Sequence, residues 1–147
     1  MPFKLLIVST FLALPLPSVA EMSFSEYPLP PRATAYGSQG QTLVLGCGQG
    51  GSPSVTLIGP RPVGGPEEFY VLAVDGAEEA LVAARCDFDG CHLEFETVGA
   101  ARDFLTALAL GTRLEIGFYR NGAGGVVPLA GAAAALGALY ASGCPKP

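Results

Sequence analysis

Four cysteines, Cys47, Cys86, Cys91 and Cys144, constrain this 147-residue chain more than any other feature. Their meaning depends on the compartment in which they fold. The first twenty residues address that point. Lys4 supplies a short positive start, Leu5 to Leu14 is an apolar run of ten residues, and Pro15 and Pro17 break it. Ten residues are too few to cross a bilayer core of ~30 Å as a helix. Ser18-Val19-Ala20 places small residues where a signal peptidase reads them. Residues 1–20 are therefore expected to be a cleaved secretory signal, leaving no stable membrane span, and the mature chain is expected to be periplasmic or secreted.

In such a compartment an even number of cysteines reads as two bridges, and four cysteines allow three pairings. The preferred one closes a short loop with Cys86–Cys91 and ties the first core strand to the chain end with Cys47–Cys144. By loop-closure entropy the short bridge is worth about 2 kcal/mol and the long one about 5 kcal/mol.

The remaining sequence is expected to hold an extended, proline-containing arm over 21–41 and one domain over 42–147. In the arm, Phe24, Tyr27 and Leu29 are candidates to dock on the domain. Thr42–Cys47 and Ser54–Ile58 are short apolar runs that read as strands. The string Gly59–Pro66 reads as a loop. Phe69–Asp75 reads as a strand covered on both faces, and Glu79–Arg85 as its hairpin partner across Gly76-Ala77. In Cys91–Thr97 apolar and polar residues alternate, which sends Cys91, Leu93, Phe95 and Thr97 inward and His92, Glu94 and Glu96 outward.

The period then changes. Ala101, Phe104, Leu105 and Leu108 recur as on one face of a helix, and Gly111 is expected to end it as a left-handed cap. Thr112–Tyr119 alternates again, Asn121–Gly125 reads as a turn, and Val126–Leu129 as the returning strand. An alanine-rich helix over 130–142 is expected to bury Leu136, Leu139 and Tyr140. The expected fold is α+β: a small antiparallel β-sheet with two late α-helices, stapled by disulfides.

Charge narrows the range of partners. Without Lys4, seven basic side chains face thirteen acidic ones, a net charge of −6, and nine of the acids lie between Glu67 and Glu96 with Arg85 as the only base. Nucleic acid requires Lys and Arg for phosphate neutralisation, so it is excluded as a partner.

Each chemical motif meets a physical objection. Gly46-Cys47-Gly48-Gln49-Gly50-Gly51 matches a dinucleotide fingerprint, but Ser52-Pro53 leads into a strand where the pyrophosphate needs a helix N-terminus. Cys86-Asp87-Phe88-Asp89-Gly90-Cys91-His92 gathers potential zinc ligands. Neighbouring strand residues face opposite ways, however, so Cys91 and His92 diverge. Four residues separate the two cysteines, against two in catalytic dithiols. Asp87 and Asp89 resemble the start of a calcium loop whose twelfth position falls on Val98. Glu94 and Glu96, two apart on one strand, have the ~7 Å spacing of a carboxylate pair. A small hydrolase or metal enzyme would have to be built from His92 with Asp87, Asp89, Glu94 or Glu96. The simpler reading has His92, flanked by Glu94, in a surface cross-strand pair with Arg113 or Glu115. No catalytic, metal or cofactor residue is assigned, and no cofactor is expected.

From Cys86 onward, under half of the mature chain, the order of elements resembles the invasion-associated locus B family of exported bacterial proteins. The resemblance rests on Cys86-Asp-Phe-Asp-Gly-Cys91 before an alternating strand, Ala107-Leu-Ala-Leu-Gly111 before the next strand, and Val127-Pro-Leu-Ala-Gly-Ala132 opening the last helix. The first half departs from it in lacking tryptophan and a second cysteine. Leu43-Val-Leu-Gly-Cys47 and the terminal Cys144 are similar instead to a small periplasmic family associated with type VI secretion. Both resemblances imply a disulfide-bonded, non-enzymatic envelope protein with an unidentified protein partner. The acidic 67–96 segment adds the alternative of an inhibitor of a cationic extracellular enzyme such as lysozyme.

Overall fold

A computed structural model describes residues 21–28, 30–48, 53–120, 122–144 and 146. The expected secretory signal lies outside the described residues, as do Leu29, Asn121 and residues 49–52, which include the second half of the glycine-rich string 46–51.

The chain forms nine strands and two helices. They are β1 (Ser23–Ser25), β2 (Arg32–Tyr36), β3 (Thr42–Cys47), β4 (Pro53–Ile58), β5 (Glu67–Val74), β6 (Ala80–Cys86), β7 (Cys91–Glu94), α1 (Val98–Leu110), β8 (Arg113–Phe118), β9 (Gly122–Pro128) and α2 (Ala132–Ala141). All strands belong to one sheet in the order β1-β2-β3-β4-β7-β6-β5-β8-β9, and every neighbouring pair is antiparallel. The α+β expectation holds, with the sheet dominant. The β5–β6–β7 meander folds back so that β7, not β5, lies against β4.

Alternation places one side chain in two on the inner face. Leu43, Leu45, Val55, Leu57, Tyr70, Leu72, Leu114 and Ile116 meet there with Leu105 and Leu108 of α1 and Leu136 and Leu139 of α2, in one buried cluster. The sheet curls until its ends approach: Ser38 N donates to Val126 O at 2.9 Å, and Val126 N donates to Ser38 Oγ at 3.1 Å.

Several expectations are corrected. The 21–41 arm is extended, but it is part of the sheet. β1 pairs with β2 and β2 with β3, burying Ala33 and Ala35 on the core side. Phe24 packs against the core, whereas Tyr27 stands in solvent. β5 is not covered on both faces: Phe69 is exposed and Val71 only half-buried, because neither helix lies over the outer side. β7 ends at Glu94, so Glu96 does not share its face, and Thr97 turns to cap α1 by accepting from Ala100 N at 3.0 Å. β9 begins at Gly122, inside the span expected to be turn.

Gly111 is extended (φ −82°, ψ 169°) and not left-handed. The requirement for glycine is steric: a Cβ here would lie 2.3 Å from Val74 Cγ1. The conformational argument belongs to the β5–β6 turn, where Asp75 (φ 54°) and Gly76 (φ 70°) are both left-handed and Ala77 N donates to Val74 O at 3.0 Å. Asp-Gly suits this mirror-image turn, which matches the twist of a hairpin.

Two carboxylates organise connections. Asp75 accepts from Thr112 N, Thr112 Oγ1 and Arg113 N, at 3.0, 2.6 and 3.0 Å. The Thr112 hydroxyl and backbone bonds hold its carboxyl below the usual range. Glu68 is 2% exposed, on the core side of β5. It accepts from the backbone N–H groups of Val63, Gly64 and Gly65, closing the 59–66 loop around a buried carboxylate. Next to it, burial and then the Glu68 charge push the Tyr70 phenol up to about 12.

Candidate functional site

The chemistry-bearing residues singled out in the sequence converge on the β6–β7 hairpin. Cys86 and Cys91 are directly opposite in register and joined by a disulfide, with Cα atoms 4.0 Å apart. Cys47 and Cys144 form the second bridge, so both expected pairings are present. Two bridges are the mark of a chain that folds in an oxidising compartment.

Inside the short bridge the loop is locked by its own hydrogen bonds. Asp87 N donates to Gly90 O at 2.9 Å, and Asp89 N donates to Asp87 Oδ1 at 2.8 Å. Aspartate favours turns through this contact with the backbone two residues on. Gly90 (φ 140°) packs where a Cβ would stand 2.9 Å from Leu57 O and from Thr56 Cγ2. The loop therefore sits hard against β4. At its tip Phe88 is 95% exposed, between the exposed Asp87 and Asp89. Ile58, also exposed, flanks the loop.

His92 does not face β8 as expected. Because β7 lies between β4 and β6, its register partners are Thr56 and Arg85. Its Nε2 lies 3.2 Å from Asp87 Oδ2 and its Nδ1 2.9 Å from Thr56 Oγ1. An ionised carboxylate only accepts, so Nε2 carries a proton, and in the neutral ring Nδ1 accepts from the Thr56 hydroxyl. The Asp89 backbone N–H first, and then His92, hold the Asp87 carboxyl below its ordinary range.

A hydroxyl, an imidazole and a carboxylate in sequence have the connectivity of a nucleophile–base–acid relay. Here the packing opposes that use. Thr56 is buried within β4, with the Gly90 backbone against its methyl group. The chain of contacts is a brace that holds the hairpin to β4. Glu94 is bound to Arg85 at 3.2 Å, while Glu96 lies past the end of the strand. Of the four candidate carboxylates, only Asp87 reaches His92. The zinc reading loses both thiols to the disulfide, and Cys91 is buried while His92 faces outward. Among the described residues no cluster of three His, Cys, Asp or Glu side chains is placed to hold a metal ion.

A groove of about 490 Å³ lies elsewhere, on the outer sheet face. Val71, Ala73 and Gly117 line it, together with Glu79 and Glu115 and the Ser38-Gln39 segment. Gly117 leaves it open, since a Cβ there would come within 3.3 Å of Val71 Cβ. Glu115 accepts from Arg113 Nε at 2.9 Å, so the two offset each other's charge.

Sequence reasoning missed Thr56 and Glu68. Thr56 reaches His92 only through the non-local β4–β7 pairing. Glu68 is a charged residue at a core position, which alternation alone marks only in hindsight. Among the described residues no helix is long and apolar enough to cross a membrane. Comparison with family models, curated proteins and solved structures finds no match to this chain.

Proposed function

We propose that the chain is an exported, periplasmic or secreted binding protein of the bacterial envelope, directed there by a cleaved signal over residues 1–20. In this reading it works without catalysis, through contact with another protein. One observation carries it: Phe88, 95% exposed, is presented on a hairpin closed by a disulfide and braced to β4 through Asp87, His92 and Thr56. An aromatic side chain in water on a rigid mount has little ordering entropy left to lose on binding. Aromatic residues of this kind dominate interface energetics. The resemblance from Cys86 onward to the invasion-associated locus B family supports the same class of function.

The acidic flanks favour a second, narrower reading, an inhibitor of a cationic exported enzyme. Asp87 and Asp89 border the aromatic tip, and carboxylates there steer a basic partner while repelling an anionic lipid surface.

The test is a pull-down from envelope extract with the mature, oxidised chain as bait, beside Phe88→Ala and His92→Ala. A specific partner captured by wild type, lost with Phe88→Ala and retained with His92→Ala is the expected result. Retention by Phe88→Ala overturns the role given to the aromatic tip, and loss with His92→Ala of a turnover activity overturns the proposal in favour of an enzyme. For the narrower reading, lysozyme is titrated at low and moderate salt, and absence of binding at both removes it.

A further inference from the structure

A second concavity lies between the two helices, away from the hairpin. Its volume is about 270 Å³, and Leu105, Ala109, Leu110, Leu136 and Tyr140 give it an apolar lining. Two cations, Arg102 and Lys146, also line it. The chain has only seven basic side chains after Lys4, and two of them stand beside this one apolar cleft. Among the described residues Arg102 meets only Asp103, at 3.7 Å, and its side chain is 59% exposed.

Gly137 is part of the cleft wall. It lies inside α2, where glycine is destabilising relative to alanine. Nothing in the fold requires it: a Cβ there would meet no atom within 4 Å. This is the opposite of Gly111, where no Cβ fits. What Gly137 supplies is open space in the cleft wall.

We propose that this cleft binds an alkyl carboxylate, a fatty-acid-like amphiphile whose chain lies along the α1–α2 seam and whose head group meets Arg102 and Lys146. Guanidinium and carboxylate match in geometry and charge, and that pairing sets the sign of the ligand.

The test is calorimetric titration of the mature, oxidised chain with octanoate, decanoate and dodecanoate below their micellar concentrations. Dodecylamine and dodecanol serve as head-group controls. Affinity is expected to rise about fourfold per added methylene until the cleft is full. Dodecanoate is expected to bind more tightly than dodecanol, and dodecylamine most weakly. Arg102→Gln, at an exposed position, is expected to weaken dodecanoate about tenfold. Gly137→Leu fills the space and is expected to abolish binding. Gly137→Ala is expected to raise the melting temperature, a check that the position is sterically free. Absence of saturable dodecanoate binding, binding of dodecylamine as tight as dodecanoate, or full affinity in a folded Gly137→Leu variant overturns the proposal. Should Gly137→Leu not fold, the head-group order and Arg102→Gln decide it.

Discussion

Replacing Glu68 should unfasten the 59–66 loop and cost more stability than any exposed carboxylate in the chain. The side chain is 2% exposed and collects the N–H groups of Val63, Gly64 and Gly65, with Val63 N 3.1 Å from Oε2 and Gly65 N 3.2 Å from Oε1. A hydrogen bond to a charged group contributes about 1.5–3 kcal/mol. Three do not simply add, because the loop residues regain water when released. For Glu68→Ala a net loss of about 2–4 kcal/mol is expected, and for Glu68→Gln, which keeps an acceptor, about 1–2 kcal/mol. At roughly 3–5 °C per kcal/mol for a domain of this size, the alanine variant should melt on the order of 10 °C lower. Glu67→Gln, next along β5 but exposed, is the control and should melt with wild type. Amide hydrogen exchange locates the effect: Val63, Gly64 and Gly65 should exchange slowly in wild type and much faster in Glu68→Gln. Tyr70 adds an independent readout. The Glu68 charge is one cause of its elevation to about 12, after burial, so Glu68→Gln should lower the phenol's titration midpoint. Unchanged melting in Glu68→Gln, with unchanged exchange at the three amides, would refute the reasoning.

Removing both cysteines of the Cys47–Cys144 bridge, sequence separation 97, should cost about 5 kcal/mol, against about 2 kcal/mol for Cys86–Cys91, separation 5. Urea unfolding of Cys47→Ala/Cys144→Ala and Cys86→Ala/Cys91→Ala checks the order. Gly111→Ala should destabilise by about 1–3 kcal/mol through the clash with Val74, measured the same way. Asp75 and Asp87 have lowered carboxyl pKa values, so their stabilisation is complete above the ordinary aspartate range and is lost as pH falls through the lowered folded values. Asp75→Asn and Asp87→Asn should each flatten the fall in urea midpoint between about pH 6 and about pH 2.

What could be read beforehand was local. α1 was legible because Phe104, Leu105 and Leu108 repeat at helical spacing, and β3 because Leu43 and Leu45 are unmistakably apolar. The cysteine pairing was legible because one pair is close in sequence, which leaves a single partner for each of the others. β2 was hidden because its inward residues, Ala33 and Ala35, are small and sit among prolines. Gly111 was misread because sequence shows that a glycine is present and not whether φ or steric room demands it. The Asp87–His92–Thr56 brace required knowing that β7 crosses back to β4, a pairing set by how the whole meander packs and by no local signal. The hairpin's composition was visible; its mounting was not.

The closure of the sheet through Ser38 and Val126 limits how this molecule can associate. Exposed strand edges invite further strands, whether from a partner peptide or from another copy. Here one outer edge is a three-residue strand, and the Met22 N–H just before it already donates to Ala130 O at 2.7 Å. On the other edge, β9 shares the N–H and carbonyl of Val126 with Ser38. A strand added at either end would have to compete with these bonds. That competition shifts recognition toward side chains that project from the sheet.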